Sequence, residues 1–184
     1  ISVGGSLDRL ENVEVETMSF GIDNGYLFVG AGPYFKDSNG NGRIDPNDKH
    51  LDGAFGFVIE NVDLGLVIMK PTEATLPGLG AVSPKFIAMD LKVDRAAIIG
   101  MEDFLTFELY KIEVALNVSA IPGLSVPLPA HVDFKSSFET SPGAKNGKLT
   151  VTTGGAPIVL DFDSSVIRVI VGYANINLAG IVTV

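Results

Sequence analysis

Apolar and polar residues alternate with a period of two along most of the chain. Val13-Glu14-Val15-Glu16 alternates strictly, and Met18-Ser19-Phe20-Gly21-Ile22 does so again. A period of two puts every second side chain on the same face, so this region predicts a half-buried β-strand. Asp23-Asn24-Gly25 predicts a turn after that strand. Because no capped run of helical period extends beyond a turn or two, the sequence predicts an all-β protein.

Other segments have the composition of strands without strict alternation. Residues 25–35 and 53–59 are rich in glycine, aromatic and β-branched residues, which favours strands on both sides of the segment between them. Residues 166–173 are almost continuously apolar and predict a strand buried on both faces. Residues 119–130 contain three prolines, which cannot donate ladder hydrogen bonds, and predict a connector or an edge segment.

A weak internal repeat runs through the middle of the chain. Similar segments begin at Asn61, Lys92 and Lys111, and a looser copy begins at Asn175. The first and second copies are 31 residues apart, because a Pro/Gly-rich insertion at 71–80 lies between them, and the second and third are 19 residues apart. A step of about 20 residues is typical of stacked β-coils. The sequence therefore predicts an elongated β-solenoid-like or stacked β-sandwich repeat unit, and a long antiparallel meander remains an alternative.

One stretch of oxygen-bearing side chains has the spacing of a calcium-binding loop. Such loops hold Ca²⁺ with side chains at positions 1, 3, 5, 9 and 12 and with the backbone carbonyl of position 7. Residues 37–48 match an EF-hand-like loop between two strands, with Gly42 at position 6, where a sharp turn is needed. The predicted ligands are Asp37, Asn39, Asn41, the Arg43 carbonyl, Asp45 and Asp48.

The surroundings of this loop predict a structural ion of modest affinity. Strand-like segments flank the loop, whereas helices flank an EF-hand loop. Asp48 at position 12 is shorter than the usual bidentate Glu, and the loop has only three carboxylates. A solvated turn rich in Asn, Asp and Gly is the alternative, since these residues also favour turns for conformational reasons. Five ligand-type residues in register with the central glycine favour calcium.

Composition excludes several classes of function. A net charge of −9 with only 13 Lys and Arg residues argues against nucleic-acid binding. The chain has no Cys, which excludes disulfides, thiolate metal sites and cysteine nucleophiles. Charged residues interrupt every apolar run before the ~20 residues that a transmembrane helix requires. A weak calcium loop fills at the calcium concentrations found outside cells, so we expect an extracellular protein, of which this chain is an excised piece.

The order of motifs resembles a repeat unit of giant bacterial extracellular proteins of the calcium-binding adhesin and hemolysin-type class. The resemblance covers residues 20–118. It rests on Gly25-Tyr26-Leu27-Phe28-Val29-Gly30, Gly32-Pro33-Tyr34-Phe35, the loop, Asn61-Val62-Asp63-Leu64-Gly65-Leu66 and Lys70-Pro71-Thr72. It implies one all-β module on a secreted or surface-displayed chain used in cell adhesion, with neighbouring repeats as partners and with the same residues around the calcium. We expect a calcium-loop unit at 1–118, the Pro-rich connector at 119–130, and a β segment at 131–184 leading into a next repeat.

Catalysis is not predicted. His50 and His131 are the only histidines, and neither stands in a pattern typical of a nucleophilic triad. The alternative to a structural module is a calcium-dependent module that binds carbohydrate or another surface ligand through Tyr26, Tyr34, Phe35 and the ion. Exposed aromatic side chains beside the loop would favour that alternative, whereas buried ones would favour a structural role.

Overall fold

A computed structural model describes residues 1–5, 11–72, 84–120, 130–141, 144–145, 147–179 and 182–183. These residues form strands and one 3₁₀ turn, so the predicted all-β class is confirmed. In this part of the chain, no helix has the length and apolarity needed to cross a membrane. The strands are β1 (Ser2–Gly5), β2 (Val15–Ala31), β3 (Phe35–Lys36), β4 (Lys49–His50), β5 (Phe55–Pro71), β6 (Lys85–Ile99), β7 (Leu105–Ala120), β8 (Ala130–Asp133), β9 (Glu139–Ser141), β10 (Ala144–Lys145), β11 (Leu149–Val151), β12 (Ile158–Leu160), β13 (Val166–Leu178) and β14 (Val182–Thr183).

The main sheet has the strand order β14-β13-β7-β6-β5-β2, and its five long strands are antiparallel. β5, β6 and β7 follow one another in the chain and are also neighbours in the sheet. They therefore form an antiparallel meander, which was the alternative in the sequence-based prediction. No solenoid coil occurs among the described residues. Two copies of the internal repeat share a backbone feature, since their first residues, Asn61 and Lys111, both have a positive φ, at 53° and 52°.

The predicted turn at Asp23-Asn24-Gly25 is wrong, because β2 runs without interruption from Val15 to Ala31. Asn24 adopts a φ of 54° inside the strand. Asn tolerates this left-handed conformation better than most residues. The backbone NH of Asn24 donates to Oδ1 of Asp63 on the neighbouring strand at 2.9 Å. The Asn-Gly pair therefore marks an irregularity within a strand.

The chain divides into two compact units, and the residues of the long strands are shared between them. The first unit comprises Ile1–Gly21, Leu64–Asp90 and Val114–Arg168. Its core combines side chains from β5 and β6 with side chains from the pairs β1–β8 and β11–β12. The buried members are Val3, Val67, Met69, Phe86, Ala88, Ala130, Val132, Phe134, Val151 and Leu160.

The second unit comprises Ile22–Asp63, Leu91–Glu113 and Val169–Val184. Its core is smaller and lies where the segment carrying β3 packs on β5 and β6. The buried members are Tyr34, Ala54, Val58, Ala97 and Ile99, with Phe28 and Phe35 packed against them. This unit contains the predicted calcium loop.

The prediction that residues 166–173 are buried on both faces is wrong, although they do form a strand. Ile167, Val169, Ile170, Val171 and Tyr173 are all exposed. Within the described residues, β13 lies between β7 and the two-residue strand β14, and neither core cluster includes a side chain of β13. An apolar composition indicates that a strand is to be covered, and it does not identify what covers it.

Two predicted features fall on parts of the chain that are not described. Of the connector predicted at 119–130, residues 121–129 lie outside the described residues, as do residues 73–83, which include most of the predicted insertion. The predicted division into 1–118, 119–130 and 131–184 stays a prediction.

Candidate calcium loop

The loop at 37–48 lies at the tip of a short antiparallel hairpin between β3 and β4. Phe35 pairs with His50, and Lys36 pairs with Lys49. Asp37 is thus the first residue after β3, and Asp48 is the last before β4. The hairpin brings the two ends of the loop together, which is required if residues at both ends are to contact one ion.

Asp37 holds the first half of the loop through its carboxylate. Its Oδ1 accepts from the backbone NH of Gly40 at 2.6 Å and of Asn41 at 3.2 Å, and its Oδ2 accepts from Gly42 at 2.8 Å. Gly40 and Gly42 have φ values of 74° and 77°, a conformation that glycine adopts without steric cost. The backbone therefore wraps around the Asp37 carboxylate, as position 1 of a calcium loop requires.

Asp45 connects the second half of the loop to the two asparagines. Its Oδ2 accepts from Nδ2 of Asn41 at 2.9 Å and lies 3.5 Å from Nδ2 of Asn39, while its Oδ1 accepts from the NH of Asn47 at 2.8 Å. Hydrogen bonds from the Asn47 NH and from the Asn41 amide lower the pKa of Asp45. Three predicted ligands are therefore in direct contact, and the carboxylate is stabilised in its charged form.

Asp48 closes the loop. Its Oδ1 accepts from the NH of Ser38 at 2.8 Å, and its Oδ2 accepts from the NH of Asp45 at 3.0 Å. The bond from the Ser38 NH is the main cause that lowers the pKa of Asp48. Arg43 was predicted to contribute its carbonyl, and the contact that the structure gives for it is a 2.8 Å bond from its NH to Oδ1 of Asn41.

The donor set fits a hard cation only if the asparagines take part. In the described parts of the chain, no three His, Asp or Glu side chains are grouped closely enough to hold a metal. The loop has three carboxylates that are spread along it, and amide oxygens stand between them. Each amide or carboxylate oxygen has two lone pairs, so an oxygen that already accepts one backbone NH can still bind an ion. Ca²⁺ suits such a mixed shell of carboxylate, amide and carbonyl oxygens.

A polar network lies at the base of the hairpin and centres on Arg95 of β6. Its Nη1 lies 3.2 Å from Oε1 of Glu60, and its Nη2 lies 2.8 Å from Oε1 of Glu108. Nη1 also donates to the Tyr34 hydroxyl at 3.2 Å. His50 also contacts this hydroxyl group, with its ring nitrogen Nδ1 3.0 Å from the oxygen. The network therefore connects Tyr34, just before β3, and His50, the last residue of β4, to three strands of the sheet.

Charge pairing in this network outweighs the cost of burial. Burial lowers the pKa of Arg95. Hydrogen bonds to Glu108 and Tyr34 and the negative charge of Glu60 together raise this pKa by more than burial lowers it, so the net shift is upward. For Glu108, burial raises the pKa, whereas hydrogen bonds from Arg95 and Asn175 produce a net decrease. Burial is also the main cause of the raised pKa of Tyr34. Arg95 and Glu108 thus remain charged across the physiological range.

The aromatic side chains beside the loop pack against one another. Tyr34 is buried and stacks on His50 with ring centroids 4.4 Å apart. The ring centroid of Phe35 lies 5.0 Å from that of Tyr34 and 5.4 Å from that of Tyr26, and both ring pairs are edge to face. Tyr26 has its pKa raised to about 12, mainly by burial and then by the negative charge of Glu60. The burial of Tyr34 favours a structural role over a ligand-stacking role.

Arg95, Glu60 and Glu108 stand in no sequence motif that marks them as members of a site. The available signal was a charged residue within an apolar strand, which is costly unless it is paired. Pairing partners on different strands are 35 and 13 residues from Arg95 in the chain, so spacing alone does not identify them.

Comparison of the chain with protein-family models, with characterised proteins and with solved structures gives no match. The resemblance to adhesin and hemolysin-type repeats therefore rests on the residues quoted above and stays a prediction. The observations that bear on function are the geometry of the loop, the network below it and the exposed strands of the sheet.

Proposed function

We propose that this chain is a non-catalytic structural module of a large secreted or cell-surface bacterial protein of the adhesin type, and that Ca²⁺ bound at residues 37–48 stabilises it. The observation that carries the proposal is that hydrogen bonds link Asp37, Asn39, Asn41, Asp45 and Asp48 within one loop, whose spacing is that of known calcium loops. The Arg43 carbonyl completes the proposed ligand set. A surface-exposed loop of this kind would bind weakly and would need an environment rich in calcium.

An ion in this loop would act on the packing of the module. The loop is continuous with β3 and β4, and Tyr34 and His50 join that hairpin to Glu60 and Arg95. Fixing the loop would therefore lower the conformational freedom of the segment that covers the core of the second unit. In the parent protein, we propose that such modules follow one another in an elongated array, either solenoid-like or as stacked sandwiches, whose function is to extend and stiffen the chain for cell adhesion.

Thermal unfolding with and without calcium tests the proposal. The midpoint is measured in EDTA and then at about 0.1 to 10 mM Ca²⁺, the range of extracellular sites. If the ion binds only the folded state, a tenfold excess over Kd stabilises by about 1.4 kcal/mol. For a chain of this size, that corresponds to a midpoint higher by about 3 to 6 °C.

Three variants make the test specific to the loop. Asp37→Ala and Asp45→Ala should abolish the calcium response and leave the core able to fold. Asp52→Ala is the matched control, because Asp52 is an exposed aspartate just beyond β4 and outside the predicted ligand set. An absent calcium response in the wild type, or an unchanged response in both loop variants, would show that the loop is a polar turn.

A further inference from the structure

Two asparagine-glycine pairs follow one another in the loop, Asn39-Gly40 and Asn41-Gly42, and all four residues are exposed. Asparagine is one of the thermolabile residues, because its side-chain amide can be lost by deamidation. A following glycine favours this reaction, since it has no side chain to keep its backbone nitrogen away from the asparagine. The loop therefore carries two sites at which its own backbone can attack a side chain.

Deamidation is an intramolecular reaction that needs water and a solvent base, and no enzyme. The backbone nitrogen of the glycine gives its proton to hydroxide and forms a bond to Cγ of the preceding asparagine. Nδ2 takes a proton from water and leaves as ammonia, so that a cyclic imide remains. Water then adds to one of the two imide carbonyls and opens the ring to aspartate or isoaspartate. The first step takes place at the glycine NH, so a group that holds this NH controls the rate.

The two glycine NH groups donate to the same carboxylate. The NH of Gly40 donates to Oδ1 of Asp37 at 2.6 Å, and the NH of Gly42 donates to Oδ2 at 2.8 Å. A hydrogen bond to a charged acceptor is stronger than one between neutral groups. The carboxylate also disfavours a second negative charge on the nitrogen that it contacts. Asp37 therefore opposes the first step at both pairs.

The side-chain carbonyls of the two asparagines are held in a way that favours attack. Oδ1 of Asn39 accepts from the NH of Asn41 at 2.9 Å, and Oδ1 of Asn41 accepts from the NH of Arg43 at 2.8 Å. A donor on a carbonyl oxygen stabilises the negative charge that develops there as a nucleophile adds to the carbon. The obstacle that the loop provides is therefore the bond between each glycine NH and Asp37.

We infer that Asp37 protects Asn39 and Asn41 from deamidation by holding the NH groups of Gly40 and Gly42. Aspartate at either position would add a negative charge to the loop, and isoaspartate would lengthen its backbone. Either product changes the side chains predicted to bind calcium. The protection itself needs no bound ion, so it is tested in EDTA, independently of the proposed calcium site.

Peptide mass spectrometry after incubation in mildly alkaline buffer with EDTA measures the reaction. The rate at each asparagine follows from the mass gained when the amide NH₂ is replaced by OH. Asp37→Ala should raise the rate at both Asn39 and Asn41 by roughly tenfold, the effect of losing a hydrogen bond to a charged acceptor. The pair Asn24-Gly25 of β2 is the internal reference, because it lies outside the loop, and its rate should not change.

Asp48→Ala is the matched control within the loop. Asp48 also accepts from two backbone NH groups, those of Ser38 and Asp45, and neither of these residues follows an asparagine. The variant should therefore deamidate at the rate of the wild type. An increase as large as that of Asp37→Ala would overturn the inference, because it would assign the protection to the loop as a whole.

The rates in Asp37→Ala decide the role of the carboxylate. Rates at Asn39 and Asn41 equal to those of the wild type would overturn the inference, and so would lower rates, which would make Asp37 a base for the reaction. A faster reaction at Asn24 as well would show that the variant is unfolded. The wild type then provides the test, since both loop pairs should react roughly tenfold more slowly in the folded chain than in urea. Equal rates in the two states would overturn the inference.

Discussion

Nε2 of His50 lies 3.2 Å from Oε1 of Glu60, and this contact joins the loop hairpin to the sheet. The same carboxylate oxygen lies 3.2 Å from Nη1 of Arg95. One oxygen of Glu60 thus serves both the hairpin and the central arginine. Changes in this network should therefore alter the stability of the segment that carries the candidate ligands.

Replacing Arg95 with methionine should destabilise the protein by about 3 kcal/mol. The substitution leaves Glu60 and Glu108, which are mostly buried, without their cation, and breaking one side of such a pair is costly. Denaturation with urea measures the difference. Arg43→Met is the matched control, because the Arg43 side chain is exposed, and it should change stability by less than about 0.5 kcal/mol. A loss below about 1 kcal/mol for Arg95→Met would contradict the role given to the network.

Glu108 should make stability depend on pH in the acidic range. Its pKa in the folded protein lies below its ordinary value of 4.5, because Arg95 and Asn175 stabilise the carboxylate against the effect of burial. The unfolded chain then takes up a proton at higher pH than the folded one. The stabilisation is complete above pH 4.5 and is lost as the pH falls through the lower folded pKa.

The matching experiment compares the free energy of unfolding of wild type and Glu108→Gln from pH 7 to pH 3. The variant should be less stable at pH 7, and the difference should narrow below about pH 4 as the wild-type carboxylate is protonated. Glu14→Gln changes an exposed residue, so its free energy of unfolding should vary with pH as that of the wild type does. A difference between wild type and Glu108→Gln that stays constant with pH would contradict the assignment.

The sequence predicts the strand class and the loop because both depend on local patterns. Alternation is a property of neighbouring residues, and the contacts of Asp37 and Asp45 lie within six residues in the chain. The contacts of Arg95 join residues on three strands, which periodicity does not pair. The burial of Val169 and Val171 was predicted wrongly for a related reason, because the apolar sequence of a strand does not identify what covers it. The turn expected at Asn24 failed because Asn permits a positive φ equally in a turn and inside a strand.

Removing the Asp37 carboxylate should loosen the first half of the loop even in EDTA. The backbone NH groups of Gly40, Asn41 and Gly42 donate to it, so Asp37→Ala should speed their hydrogen exchange by roughly tenfold. Asp45→Ala is a reciprocal control, since it should release the NH of Asn47 and leave that of Gly42 protected. NMR exchange rates measured residue by residue distinguish the two patterns. Equal protection of Gly42 in wild type and Asp37→Ala would contradict the loop geometry.

Adding a methyl group at Gly30 should be among the more costly single changes in the second unit. A Cβ there would lie 2.1 Å from the carbonyl oxygen of Phe55 and 2.7 Å from Cα of Gly56, so β2 and β5 could not keep their spacing. Forcing extra atoms into a closely packed contact costs typically 1–3 kcal/mol, and backbone atoms have little freedom to move, so we expect about 3 kcal/mol for Gly30→Ala. Gly154→Ala is the control, because its Cβ would meet nothing within 4 Å. That variant should gain up to about 1 kcal/mol through the lower entropy of its unfolded chain. Urea denaturation of the two variants beside wild type measures both effects, and a Gly30→Ala protein as stable as Gly154→Ala would show that β2 and β5 are not in this close contact.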